Sequence, residues 1–278
     1  MEELKKYDPE VLKRIQELEL SIYKDIYKLC KKHDIKFYAY SGTAIGAVRH
    51  NGFIPWDDDI DLVFFRDEYE RFKEVAKREL PDRYDLLTPE GIDDYFLLFS
   101  KVILKGTAFD EWWADQVSFT QGIFVDIFIL DNLPDSKIKK IYYKNVGRLI
   151  RKLVPLATIK FTDYGLPTRV IASCVRAVLK LLRVSPVNLK KRAHKMITRY
   201  NDQETKELYD VTGRYFTYVY QRDMFEPAIN FKFEDTEIPM PKEYDPYLHV
   251  EYENPMELPP VGDRFNHVEA EIDFGKYK

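Results

Sequence analysis

"GFIPWDDDIDLVFF", residues 52 to 65, crowds Asp57, Asp58, Asp59 and Asp61 into five positions and then runs straight into apolar residues. In an extended chain side chains two apart share a face, so Asp59 and Asp61 project together while Ile60 and Leu62 turn toward a core. Two bare carboxylates about 5 Å apart repel by roughly 3 kcal/mol at an effective dielectric near 20. A bound divalent cation would remove that penalty. A solvated acidic turn is one reading, but the run IDLVFF ties these acids to a buried strand. A calcium loop is a second, with Asp57, Asp59, Asp61 and Glu68 at positions 1, 3, 5 and 12; Leu62, however, stands where such a loop needs glycine. The third is a magnesium site for phosphoryl or nucleotidyl chemistry, because Mg²⁺ takes a few carboxylates and completes its shell with water and substrate phosphates.

The third reading calls for backbone that can approach a phosphate and for another carboxylate on a neighbouring strand. "IKFYAYS", residues 35 to 41, has the aromatic content of a short strand, and Gly42-Thr43 then opens a brief helix whose amide N–H groups face an anion. Asp126 lies inside "GIFVDIFIL", 122 to 130, an otherwise apolar strand where an unpaired carboxylate is costly. A buried Asp satisfied by hydrogen bonds is the alternative there.

Outward from these segments, Asp8-Pro9 starts a helix with apolar residues at helical spacing to about Lys32. "RDEYERFKEVAKREL" reads as an amphipathic helix closed by Pro81, and "YFLLFSKVILKG", 95 to 106, as a further strand. Residues 1–135 thus form a unit of helices and strands that ends where Asn132-Leu133-Pro134 breaks the pattern. Residues 136–210 read as a basic helical subdomain. Residues 211–278 are aromatic and proline-rich, loop-dominated, and packed back on the core.

The 278 residues are 45% apolar, ample for a core. Cys30 and Cys174 have neither disulfide-framework nor zinc spacing, which suits a reducing compartment. The charged N-terminus lacks the apolar segment of a secretion signal, and no stretch reaches membrane-span length. A cytoplasmic protein is expected. The net charge of −4 hides an asymmetry: Lys137 to Arg199 holds 17 Lys/Arg and one acid, Asp163, so it carries +16 against −20 elsewhere. No nucleic-acid motif accompanies that charge, and no nucleic-acid partner is expected. "LPTRVIASCVRAVLKLLRV", 166 to 184, alternates apolar and basic groups as an interfacial helix does. Peripheral contact with an anionic membrane, at the inner face of the plasma membrane, is the preferred reading, and an ordinary basic helical face is the alternative.

The run "SGTAIGAVRHNGFIPWDDDIDL", 41 to 62, resembles the signature of the LicD phosphocholine transferases, which are related to the fukutin-type sugar-phosphate transferases. "GIFVDIFILDNLP", 122 to 134, is similar to the family's second motif, and "IPMPKEYDPYL" with "LPP" and a late histidine to its C-terminal part. Ala44-Ile45 replace a commoner pair of leucines and Ile129 a usual proline, departures that leave substrate identity open.

The resemblance implies an α+β fold: a nucleotidyltransferase-like mixed sheet with flanking helices, plus the basic helical subdomain. It implies transfer of phosphocholine from CDP-choline to a hydroxyl of a cell-surface glycan precursor, of teichoic acid or lipopolysaccharide type, free or lipid-linked, with release of CMP. Asp59, Asp61 and Asp126 would hold one or two Mg²⁺ ions, with Asp126 the general base and Asp57 second choice. By their position between the glycine turn and the acids, Arg49 and His50 are placed to meet a phosphate or to pair with the cluster, with plain surface charge the alternative. Lys101, mid-strand in "LLFSKVIL", either snorkels to an edge or faces the site as a phosphate ligand, the reading a family lysine supports, and Lys242 and His267 are weaker nucleotide contacts. In "FDEWWADQ", 109 to 116, Trp112 and Trp113 could receive a quaternary ammonium beside acids, with core packing the alternative. Transfer of phosphoethanolamine, glycerol phosphate or ribitol phosphate would change only the cargo. A non-catalytic nucleotide- or glycan-binding module is the rival from another class, and the three intact acids speak against it.

Overall fold

Asp8 accepts a hydrogen bond from the Glu10 amide and Pro9 fills the first turn, so helix α1 (Pro9–Lys32) starts where its capping residues require. The computed structural model describes residues 7–111, 113–159, 161, 164–211, 218–264, 266 and 271–278. After α1 come β1 (Tyr38–Ala39), α2 (Ser41–His50), β2 (Asp61–Phe65), α3 (Arg66–Glu79), β3 (Tyr84–Leu87), β4 (Ser100–Leu104), β5 (Ala108–Asp110) and β6 (Phe124–Leu133). Three helices follow, α4 (Lys137–Thr158), α5 (Leu166–Leu181) and α6 (Pro186–Ile197), and then β7 (Glu207–Asp210) and β8 (Val219–Gln221). The chain ends with β9 (Ile229–Phe233), β10 (Thr236–Met240), α7 (Tyr244–His249) and β11 (Glu271–Asp273).

The main sheet has the order β1-β2-β6-β4-β3, with β7 on the second half of β6 and β8 on β7. β2 and β6 run parallel and the other pairs antiparallel, the mixed sheet of an α+β fold. The ten residues of β6 serve two partners: its first half takes β4 and its second half takes β7. That is why the strand continues through Asn132 and Leu133, which pair with Leu208 and Glu207, and not, as their polarity and the following proline suggested, breaks there. Segment 95–99, expected to begin a strand, is irregular chain, with Tyr95 and Phe96 buried in it.

The larger apolar core runs from α1 and α3 through the sheet to the β9–β10 hairpin and α7. The hairpin lies where sequence suggested loops: Phe233, Ile238 and Met240 are buried, while Pro239 and the charged alternate positions mask the strand pattern. A second core joins α4 and α6 to Leu133, Tyr209 and Val211, and takes in Phe96 and Trp113. α5 contributes little to either, with Ala172 its sole buried residue.

Candidate active site

Register places polar side chains of three strands, and of the residue that follows a fourth, in one row. Tyr40 follows β1 and donates its amide to the Asp61 carbonyl at 3.0 Å, Asp61 faces Asp126 across the parallel β2–β6 pair, and Lys101 of β4 faces Asp126 from the other side. Directly opposed residues on neighbouring strands, about 4.8 Å apart, share a face. Tyr40, Asp61, Asp126 and Lys101 therefore form an ionic row across the sheet. Two residues further along the same face, Phe128 stacks on Phe99 with centroids 4.6 Å apart, and Tyr40 lies 5.0 Å from Phe128. The floor of the site is thus an ionic row beside an aromatic one.

Asp61 is positioned through its backbone: its amide donates to Thr43 Oγ1 at 2.8 Å, joining α2 to the first residue of β2. Gly42 has a steric reason for lacking a side chain, since a Cβ there would come within 2.7 Å of Asp57 Oδ2. The anion at the start of α2 is thus the chain's own Asp57, where the helix dipole favours it. Burial drives the Asp61 carboxyl well above its ordinary pKa, and Asp59, Asp126 and Asp57 add to the effect. Burial likewise pushes Asp126 up to about 7, with Lys101 opposing and Asp59 and Glu111 reinforcing. Lys101 is buried, 3.2 Å from Asp126 Oδ1 and 3.3 Å from Glu111 Oε1, and its ammonium sits over the Phe124 ring at 3.2 Å. The Asp126 contact is an ion pair and not a directed hydrogen bond, so Oδ1 remains a buried acceptor without a donor aimed at it.

Three acids that sequence reasoning passed over join this neighbourhood. Glu19 of α1 is fully buried, and neither of its carboxylate oxygens has a hydrogen-bond partner. Burial, then Asp59, Asp58, Asp57 and Asp126, raise its pKa far above the ordinary carboxylate range. The signal was readable: Glu19 lies four residues after Ile15 and three before Ile22, inside the apolar stripe of the helix. Glu251 accepts from Tyr220 Oη at 2.6 Å and is pushed up to about 7, mainly by burial. Asp210, fully buried, accepts from Tyr40 Oη at 2.7 Å. The last two follow from where β7 and α7 pack, and no local pattern announces them.

Other expected residues sit apart from the row. Arg49 donates to the carbonyls of Pro255 and Glu257 and to His50 Nε2, which ties its guanidinium to the C-terminal segment. Burial, then neighbouring Arg49, lower the pKa of His50. Lys242 is exposed, 3.7 Å from Glu243. Trp113 is 2% exposed, packed edge-on against Phe96, and donates Nε1 to Glu111. It is a core residue that holds the partner of Lys101, which answers the ammonium-pocket expectation for this ring with the core alternative. Trp112 and His267 lie outside the described residues.

The donor set suits a hard cation: oxygen ligands only, mutually repelling, with a buried carboxylate oxygen lacking a directed donor. Among the described residues no three His, Cys, Asp or Glu side chains stand at metal-holding spacing. Asp61 and Asp126 are direct neighbours in register, and Asp59 is near enough for its charge to raise both carboxyls. Magnesium commonly uses one or two carboxylates and completes its shell with water and substrate phosphates, and a pair fits that pattern.

Residues 34–168 match the family model described as the LicD/FKTN/FKRP nucleotidyltransferase domain, a segment that holds the whole ionic row. Over 251 residues, 89% of this chain and 92% of the relative, the sequence is 29% identical to the lipopolysaccharide cholinephosphotransferase LicD of Haemophilus influenzae. An uncharacterized protein of Rickettsia typhi is 42% identical over 88 residues, 28% of either chain. One of Rickettsia prowazekii is 36% identical over 121 residues, 42% of this chain and 41% of that protein.

Proposed function

We propose, from the family-model match over residues 34–168 and the 29% identity to a cholinephosphotransferase, that the chain is a LicD-family phosphotransferase moving phosphocholine from CDP-choline to a hydroxyl of a lipopolysaccharide-type glycan, with release of CMP. The observation that carries the reading is the register pairing of Asp61 with Asp126, two buried carboxylates on adjacent parallel strands with a buried lysine beside them. A teichoic acid acceptor would meet the same chemistry. A cytoplasmic location, on the side where nucleotide donors are made, accompanies it.

Asp61 and Asp126, with Asp59 near them, would hold Mg²⁺, which would supply charge neutralisation at the diphosphate. The rest is work for the chain's own groups. Lys101 offers a fixed ammonium to the phosphoryl being transferred, at a buried position where electrostatic stabilisation is strong. The acceptor oxygen forms a bond to the phosphorus of phosphocholine, the bridging P–O bond to CMP breaks, and the hydroxyl proton passes to Asp126. Burial raises the pKa of this carboxyl in the metal-free chain, which suits a group that must take up a proton. Asp57, against the start of α2, is the second choice for that step.

The aromatic row offers an ammonium site where buried Trp113 does not. Two residues along a strand is about 6.6 Å, the scale of the choline arm beyond its phosphate. There a quaternary ammonium would lie over half-buried Phe99 and Phe128 and beside Tyr40, with Asp210 and Glu251 supplying negative potential.

The deciding experiment supplies Mg²⁺ and CDP-choline, CDP-ethanolamine, CDP-glycerol or CDP-ribitol, and follows CMP release with and without lipopolysaccharide-type acceptor. CMP formed from CDP-choline and lost in Asp126→Asn is the expected result. Release from another donor alone would reassign the cargo, and binding of every donor without release would leave a binding module in place of an enzyme.

A further inference from the structure

α5 is poorly accounted for by the fold around it. Its 16 residues bury one side chain, Ala172, yet its apolar residues recur at helical spacing. Leu166, Val170, Val178 and Leu181 make a stripe on its exposed side, with Leu166 72% and Leu181 82% exposed. A helix this short is marginal in water without an apolar face buried against something. The neighbouring α4 packs against α5 and exposes Ile138, Ile141, Tyr142 and Leu149. Eleven of the fourteen large apolar side chains exposed among the described residues lie between Ile138 and Leu182. Such concentration marks an interaction surface and not the scatter of an ordinary exterior.

The charge around the stripe identifies what covers it. α5 carries Arg169, Arg176 and Lys180 and no acid, and Arg183 follows it. Arg176 is engaged in closing α4, donating to the Leu156 and Ile159 carbonyls. Arg169, Lys180 and Arg183, with Lys137, Lys139 and Lys144 of α4, supply the positive border. A second copy of the chain would set this border against itself at an isologous contact, which repulsion opposes. Nucleic acid would use the cations and leave the aliphatic stripe wet. An anionic lipid surface uses both. No described helix is long and apolar enough to cross a membrane, so the geometry is that of a helix lying in the interface.

We propose that the exposed side of α4 and α5 is a docking face for an anionic membrane, with the α5 stripe entering the headgroup boundary and the flanking lysines and arginines meeting lipid phosphates. Sedimentation of the full chain with vesicles tests this without any donor, so its outcome is separate from the phosphocholine reading. The chain is expected to sediment with vesicles of phosphatidylcholine mixed with phosphatidylglycerol, more weakly in high salt, and far less with phosphatidylcholine alone. Val170→Ser combined with Leu181→Ser removes exposed apolar area only, and partitioning should fall roughly tenfold or more. Arg169→Glu with Lys180→Glu should lower it by a similar factor and reduce its salt sensitivity. Circular dichroism verifies that both variants remain folded. Equal binding to neutral and anionic vesicles, no binding to either, or binding unmoved in both variants would overturn the proposal. So would concentration-dependent self-association abolished by the serine variant, which would assign the stripe to a second copy.

Discussion

The face that holds Asp61 and Asp126 and the face formed by α4 and α5 depart from ordinary side-chain placement in opposite directions. The first buries carboxylates that water would solvate: Asp61, Asp126 and Glu19 are all buried, and two have oxygens without a directed donor. The second exposes aliphatic side chains that water rejects. Each arrangement costs free energy in the isolated chain, of order 1–3 kcal/mol for an unsatisfied buried polar group. A ligand of the missing character would relieve each: a cation with phosphate at the first, as proposed above, and lipid at the second. An unfavourable local arrangement held in place by the rest of the fold points to what binds there.

The largest effect should come from cutting the ionic row. Asp126→Asn or Asp61→Asn keeps shape and removes charge, so CMP release from CDP-choline should fall on the order of 10³-fold. The melting temperature should hold in Asp61→Asn, where a neutral amide replaces a buried acid that has no paired cation among the described residues. It should fall in Asp126→Asn, which leaves buried Lys101 with Glu111 alone; a steep loss in Asp61→Asn would instead make that acid structural. Next in size is Lys101→Met, which leaves Asp126 and Glu111 buried without their cation. Breaking such a pair costs about 3 kcal/mol, read by chemical denaturation.

The pH dependence follows from Glu251 and Asp126, both pushed up to about 7 in the folded chain. A carboxyl raised on folding stabilises fully below its unfolded value near 4, and that contribution is lost as pH rises through 7. Glu79 and Glu90, lowered to about 2, act oppositely and only below about 4.5. The metal-free chain should therefore melt highest near pH 5 and progressively lower toward pH 8, with Glu251→Gln flattening the decline and Mg²⁺ opposing it at the alkaline end. A melting temperature that climbs from pH 5 to 8 contradicts this account.

Phe128→Ala should erode discrimination of CDP-choline from CDP-ethanolamine about five- to tenfold, the worth of one cation–aromatic contact near 1 kcal/mol. An unchanged affinity ratio in that variant and in Phe99→Ala removes the aromatic row from recognition. The smallest effect belongs to the other face: Leu181→Ser should change folding stability by less than about 0.5 kcal/mol, since the side chain is 82% exposed. A larger loss would mean that the stripe is packed within the chain and that the contrast between the two faces is false.

Much of the site was legible in the chain. Alternation in IDLVFF forced Ile60 and Leu62 inward, and both are fully buried; a lone acid in GIFVDIFIL marked Asp126 as a costly buried charge, while the lone lysine in LLFSKVIL left snorkelling and burial both open, and Lys101 is buried. Those signals work because a charge within a short apolar run has nowhere cheap to go. Trp113 shows the opposite limit: a tryptophan among acids has the same local pattern whether its ring meets a ligand or, as here, Phe96. Arg49 likewise reads as a phosphate contact until the C-terminal segment arrives to accept its hydrogen bonds.

The sequence by itself determined the elements that depend on neighbours a few residues away: α1 with its Asp8-Pro9 start, the strands β2 and β6, the acids that end or interrupt them, and the +16 charge of residues 137–199. Only the tertiary structure decided that Asp61 stands opposite Asp126, that β7 pairs with the second half of β6, that Glu19 and Glu251 close on the same neighbourhood, and that α5 is left uncovered. Periodicity tells which side of an element is apolar. What that side meets depends on parallel pairing and helix packing between segments tens to hundreds of residues apart, whose partners compete on total buried area and no local pattern records.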